Sequence, residues 1–338
     1  MSSHVDLNIR PRVRAALARL PGARMLHESL CGSQGSWLYR RPTLDWLSDP
    51  DLACQLPPPY RWFARYCAAQ RRDPIGAELL LRGIIALSTR WIGDERTVPL
   101  RIGSTTVFLD LHDPRFLQIP RELTGLPQVL HHFMRPGDGF IDVGANHGTF
   151  SLVASGLVGK QGLVIAIEPQ PRLANLLRRC LAQGPAPFEV HQFACGERTE
   201  EVEFYIPRAT SGAGGRFAGY SAISDHQAIK VAMRPLDELI DARRLPQRTF
   251  IKLDIEGSEA TFLRGARRLI ASLSPLLLIE INPLAMEAAA TSKTKLVDAL
   301  VGLGYDRFVT PHELESPRPL TDQILQADII ALPASYRT

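Results

Sequence analysis

The stretch Gly139-Phe140-Ile141-Asp142-Val143-Gly144-Ala145-Asn146-His147-Gly148-Thr149-Phe150 decides how this chain folds. An apolar run (Phe140, Ile141, Val143) carries one acid, Asp142, then meets small or turn-forming residues and re-enters an apolar pattern at Phe150. That order predicts a buried strand, a tight glycine loop and a helix start. Gly144 and Gly148 let the backbone turn sharply and approach a ligand that a Cβ would block, and Ala145 shares their loop. The loop leads to a helix N-terminus, whose N–H groups point outward without intrahelical partners.

A second acid stands where such a loop needs one. The strand Leu163-Val164-Ile165-Ala166-Ile167 ends in Glu168-Pro169, about 24 residues after Gly144. Nucleotide folds grip ribose hydroxyls at an offset of roughly 20 residues. A dinucleotide or S-adenosylmethionine could use this geometry. Dinucleotide loops read G-x-G-x-x-G because a pyrophosphate lies on the helix N-terminus. Here Asn146 replaces the middle glycine and Asp142 faces the loop. Negative charge repels a pyrophosphate but suits a sulfonium and an ammonium, so the residues favour S-adenosylmethionine.

The chain has 338 residues, enough for a core domain and an appendage. A hydrophobic fraction of 45% and a charged fraction of 22% are those of a globular protein. A net charge of +4 is too mild to argue for nucleic acid. Met1 to Arg14 has no apolar core of a secretory signal, and no apolar run of about 18 residues exists, so a cytoplasmic protein without a membrane span is expected. The five cysteines form no C-x-x-C pair and are expected to be buried free thiols.

Residues 1–95 form the expected N-terminal accessory region. Helical spacing recurs over Arg12 to Leu20, Tyr60 to Gln70 and Ile75 to Trp91, with Gln55 to Pro59 expected as a rigid extended break. Residues 96–338 form the expected second domain. It begins with a hairpin over Val98 to Leu111, followed by a helix over Leu126 to Met134. After Glu168 come a helix from Pro171 and a third strand from Phe188 to Ala194. Glu201 to Ile206 can pair with Ala228 to Met233, across a Gly- and Ser-rich insertion at about 207–227 that reads as a substrate loop. Thr249 to Leu253 is the next strand, with Gly257 at the turn and Ser258 as helix cap. Strand Leu276 to Ile281, helix Lys293 to Leu303 and two last strands complete a doubly wound α/β sheet.

Four ordered motifs carry a family resemblance: Phe140 to Gly148, Ile167-Glu168-Pro169, Phe193 to Glu197, and Ile251-Lys252-Leu253-Asp254-Ile255-Glu256-Gly257-Ser258-Glu259. Together the motifs resemble the FkbM-type methyltransferases over roughly residues 97–333. The resemblance implies a class I, Rossmann-like methyltransferase fold: a seven-stranded sheet with an antiparallel last strand. It implies S-adenosyl-L-methionine as cofactor, S-adenosyl-L-homocysteine as product, and methylation of hydroxyl oxygens on sugars, polyketides and other secondary metabolites. The insertion and the N-terminal region depart from a minimal member and bear on substrate identity.

Gly144, Ala145 and Gly148 are expected to shape the cofactor loop, Asp142 and Asn146 to hold the methionine end, and Glu168 the ribose diol. Pro169 sets the turn after it, and Ala194 and Cys195 lie where the adenine edge should rest. Asp254 ends a strand at the ligand-binding rim and counts both as a cofactor contact and, jointly with Glu256, as the candidate base. Two close carboxylates should split their pKa values. Lys252 shares a strand face with Asp254 and is expected to pair with it or with Glu280; His147 and Glu280 complete the catalytic candidates. No residues have metal-ligand spacing. The expected partner is a small-molecule or glycan acceptor, free or carrier-bound, with homodimerisation open and no nucleic acid. The rivals are an N-methyltransferase of the same fold, a NAD-linked oxidoreductase and a non-catalytic cofactor-binding scaffold.

Overall fold

The computed structural model describes residues 46–47, 49–69, 83–85, 97–125, 127–207, 211, 214–217, 226–319 and 328–336. The helix expected over Arg12 to Leu20, and most of that over Ile75 to Trp91, fall outside these residues. Two short helices open the described chain, α1 (Pro50–Ala53) and α2 (Pro58–Ala69), followed by the hairpin β1 (Thr97–Ile102) and β2 (Thr105–Asp110). Helices α3 (Ile119–Gly125) and α4 (Pro127–Phe133) lead into β3 (Gly139–Val143), α5 (Thr149–Val158), β4 (Leu163–Ile167), α6 (Pro171–Leu181) and β5 (Phe188–His191). An excursion comprises β6 (Ala194–Cys195), β7 (Glu200–Pro207) and β8 (His226–Arg234). Then come α7 (Leu236–Leu239), β9 (Thr249–Leu253), α8 (Glu259–Gly265), α9 (Arg267–Leu273), β10 (Leu276–Ile279), α10 (Pro283–Ala288), α11 (Lys293–Gly302), β11 (Tyr305–Thr310), β12 (Glu313–Arg318) and β13 (Ile329–Pro333).

The main sheet runs β12-β11-β13-β10-β9-β3-β4-β5. Strands β5, β4, β3, β9 and β10 are parallel, and β13 is antiparallel to both β10 and β11. Strand β3 lies between β4 and β9 and is buried throughout, which explains its nearly unbroken apolar run. Ile141 and Val143 pack on one face with Phe262 and Leu263 of α8 and Leu296 of α11. Phe140 packs on the other with Phe150 and Ala154 of α5. Period-two alternation therefore puts Asp142 on the α5 face, directly across from Lys252 of β9.

The sheet has eight strands, one more than expected. Strand β12 pairs antiparallel with β11 as an outer edge, and its mostly exposed residues lack the apolar alternation that marks a buried strand. Its Pro317 is tolerated because an edge strand has one unpaired side. The third strand also ends earlier than expected. Its last pair is Ile167 with His191, so beyond it β5 has no neighbour to bond. The chain diverts, and Ala194–Cys195 joins β8 in a separate sheet, β6-β8-β7, in which β7 and β8 pair as expected.

Pro58 and Pro59 do not form an extended break but open α2, where a missing N–H costs nothing. Tyr60 and Phe63 of α2 share one core with Leu100 and Leu109 of the hairpin and with Leu173 and Leu176 of α6. The Tyr60 hydroxyl donates to the Leu111 carbonyl at 2.9 Å. Cys180 and Cys195 are buried thiols as expected, whereas Cys54 is exposed at the end of α1. No helix among the described residues is long and apolar enough to cross a membrane.

Candidate active site

The glycine loop sits at the C-terminal end of β3. Gly144 has φ +79°, and a Cβ there would lie 1.9 Å from the Asp254 carbonyl oxygen at the end of β9. The N–H groups of Gly144 and Ala145 both donate to the Ile167 carbonyl at 3.0 Å, strapping the loop to β4. Gly148, at φ +82°, has no room for a Cβ against Leu177, so it sets the approach of α5 to α6. Gly144→Ala is expected to combine a left-handed backbone penalty with a clash against rigid backbone. A loss of about 3 kcal/mol or more in chemical denaturation, with cofactor binding abolished, is the expected result.

The acids around this loop differ in what holds them. Asp142 accepts from the Ser151 hydroxyl at 2.7 Å through Oδ2, and its Oδ1 lies 3.5 Å from Lys252 Nζ. Lys252 also reaches Asp254 Oδ2 at 3.1 Å and lies 4.9 Å from the Phe150 ring centroid. Burial alone would lower the Lys252 pKa, but Asp254 and Asp142 more than offset that and hold it above the ordinary lysine value. This cation neutralises the acids on the α5 side.

Glu168 is buried, with each carboxylate oxygen accepting one backbone N–H: Asn146 on Oε2 and Gln170 on Oε1, both at 2.9 Å. Burial pushes its pKa up to about 7, against the pull of those two bonds. Glu280 at the end of β10 is raised well above the carboxylate range, by burial first and then by Asp254. Asp254 moves the other way: burial would raise it, but Lys252 and a hydrogen bond with Glu280 hold it low. Asp254 and Glu280 are therefore a split pair. Glu280 keeps the proton and Asp254 the charge.

Glu256 takes φ +50° in the turn after β9, and its Oε2 accepts from Asn282 Nδ2 at 2.8 Å. Carboxylate oxygens of Asp254, Glu256 and Glu280 come within 4.8 Å of one another. Ser258 makes no capping bond to α8. Glu259 instead accepts from Gly257 N–H at 3.1 Å and, more weakly, from Ile255 N–H at 3.4 Å.

One cleft brings together Gly144, Asn146, Glu168, Pro169, Ala194, Cys195, Asp254 and Glu256. Asp142, Ala145, Gly148, Lys252 and Glu280 are not among its lining residues. His147 is also outside. Its Nδ1 lies 2.5 Å from Asn146 Oδ1 and its Nε2 3.8 Å from Asp113 Oδ2. Burial lowers its pKa to about 4, with Asp113 only partly compensating, so the ring is neutral at pH 7 and turned towards the hairpin side.

The cleft also contains Phe193 of the third motif and residues that the sequence did not signal, among them Arg115, Gln170, Phe204 and Arg216. Arg115 follows the hairpin and pairs with Glu122 at 2.8 Å; nothing local marks it. Arg216 lies in the glycine-rich insertion, and a cation inside a loop already read as substrate-facing was the available signal. The insertion is tied to the cofactor loop at Ser211, whose carbonyl accepts from Asn146 Nδ2 at 3.1 Å. The Ser211 N–H faces Asp113 Oδ2 at 3.3 Å.

A loop at the end of β3, an acid at the end of β4, and a sheet reading β5-β4-β3-β9-β10-β13-β11 before its extra edge define a class I methyltransferase. Residues 142–307 match the family model described as "Methyltransferase FkbM domain", and this part of the chain belongs to that family. Among solved structures, the chain is similar to methyltransferase FkbM from Methylobacillus flagellatus KT (18% identity, 82% of this chain and 72% of that one, TM-score 0.37). It is also similar to a SAM-dependent O-methyltransferase from Thermotoga maritima (14%, 65% and 67%, 0.34). A third is Aeropyrum pernix fibrillarin with natively bound S-adenosyl-L-methionine (12%, 58% and 66%, 0.31). No curated protein matches the chain.

The cofactor of this family is S-adenosylmethionine, and the cleft fits it. A carboxylate stands ready for a diol, and Phe193, Ala194 and Cys195 give an apolar edge for a base. Asn146 stands where a pyrophosphate-binding loop has its middle glycine, and the acids Asp142 and Glu168 flank the loop.

Proposed function

We propose that this protein transfers a methyl group to a hydroxyl oxygen of a secondary metabolite, such as a polyketide or sugar. Asp254 acts as proton acceptor. The observation that carries this reading is one ionised carboxylate, Asp254, at the rim of the cleft with its charge held by Lys252 and Glu280. Glu168 binds the ribose diol, and Asp142 and Asn146 shape the methionine end. Ala194 and Cys195 contact the adenine edge. The bound cofactor supplies an electrophilic methyl carbon on a sulfonium.

The rest is positioning. The cleft walls hold the acceptor oxygen in line behind that carbon, a contribution of several kcal/mol by order of magnitude. As the oxygen forms its new bond its proton becomes strongly acidic, so even a carboxylate with a depressed pKa accepts it. Glu280, already protonated, donates to Asp254 and keeps it oriented. Residues 1–95 serve as an accessory region in this reading, supported by the packing of α2 on the hairpin.

Calorimetric titration with S-adenosylhomocysteine, followed by an acceptor screen against hydroxylated metabolites, tests the proposal. Asp254→Asn is expected to lower kcat about 10²- to 10⁴-fold at saturating cofactor. Undiminished turnover in that variant would remove Asp254 as base.

A further inference from the structure

Most ionisable side chains of the cleft have polar partners. Asp254 has Lys252, Glu256 has Asn282, Glu168 has two backbone N–H groups, and Arg115 has Glu122. Arg216 stands apart. Its Nε is buried without a hydrogen-bond partner, and its guanidinium carbon lies 5.7 Å from the Phe217 ring centroid. Burial pulls its pKa below the ordinary arginine value, with only the exposed Glu200 acting the other way. A half-buried guanidinium with unused donors costs free energy unless something supplies acceptors.

The backbone beside Arg216 is held firmly. Gly215 exchanges two hydrogen bonds with Tyr205, at 2.8 and 3.0 Å. A Cβ on Gly215 would lie 3.3 Å from Glu256 Cβ, and one on Gly214 would lie 3.0 Å from both Gln170 Nε2 and Phe204 Cε1. The two glycines thus lie between the turn after Glu168 and the turn after Asp254. Arg216 follows directly and lines the same cleft as Asp254 and Glu256.

We propose that Arg216 anchors an acidic group of the methyl acceptor, so that the substrate is a hydroxyl compound bearing a carboxylate, phosphate or sulfate. This rests on the methyltransferase reading of the cleft. A planar guanidinium suits such oxyanions because it can pair with two oxygens at once.

The full chain tests this as wild type, Arg216→Gln and Arg216→Lys. Each is titrated with S-adenosylhomocysteine. The loaded proteins are then titrated with sodium sulfate and with sodium acetate, against sodium chloride at constant ionic strength. The wild type is expected to bind sulfate or acetate saturably over chloride. Sulfate preference indicates a tetrahedral acid and acetate preference a carboxylate. In Arg216→Gln anion binding should weaken about tenfold or more, with cofactor affinity within about threefold of wild type and partial retention in Arg216→Lys. No anion binding by loaded wild type, or equal binding by Arg216→Gln, overturns the proposal. So does a parallel loss of S-adenosylhomocysteine affinity, which would give Arg216 to the cofactor's own carboxylate. Wild type that fails to bind S-adenosylhomocysteine would instead overturn the methyltransferase assignment, in a separate arm.

Discussion

Glu168→Gln should weaken S-adenosylhomocysteine binding while making the ligand-free protein more stable at pH 8. The opposing signs share one cause. Burial raises the Glu168 pKa from 4.5 to about 7 in the folded protein. Below pH 4.5 both folded and unfolded chains hold the proton, and the group costs nothing. Between 4.5 and 7 the unfolded chain loses its proton first, so stability falls as pH rises and stays low above 7. The full penalty is about 3 kcal/mol by order of magnitude; a neutral glutamine escapes it, less about 1 kcal/mol for the one backbone N–H that its amide NH2 cannot accept.

The ionised carboxylate is nonetheless the form that two ribose hydroxyls can donate to. Losing charge-assisted hydrogen bonds should weaken binding by about 10- to 100-fold. Wild-type affinity should fall by up to about tenfold per pH unit below 7, and Glu168→Gln should lose that slope. Thermal melts from pH 5 to 8 and calorimetry at matched pH read both effects. A variant with wild-type affinity would take the ribose away from Glu168.

Lys252→Met is expected to be the most damaging single change to the fold. It leaves Asp142 and Asp254 buried without the cation that lies 3.5 and 3.1 Å from them. Breaking a buried pair by removing one partner costs about 3–5 kcal/mol, here a melting temperature lower by roughly 10 °C. The raised Lys252 pKa means that this stabilisation is present at neutral pH and lost only as pH climbs past the folded value. The lowered Asp254 pKa means that its share is lost as pH falls through the carboxylate range. The variant's deficit should therefore shrink in acid, and Asp254→Asn in the same chain should restore part of it. Melting at the wild-type temperature would show that the lysine carries no structural load.

Much of this was legible in one dimension because it obeys short-range rules. A fully buried strand must be apolar, a backbone pressed against Asp254 must be glycine, and an acid at the end of the next strand follows from βα spacing. Those rules place Gly144, Gly148, Glu168 and Asp254. The ends of strands β5 and β12 were not legible, because a strand stops where its neighbour stops and an exposed edge leaves no apolar pattern. Nor was the partner of Asp254. Glu256 is nearest in sequence, but the parallel register of β9 and β10 delivers Glu280, and the register of β3 and β9 delivers Lys252 between two acids. Residue types and spacing thus determined the fold class and the cofactor loop. Only tertiary structure decided which acid keeps the proton, that His147 turns away, and that Arg216 reaches the cleft, because charges share a low-dielectric site only after distant elements converge.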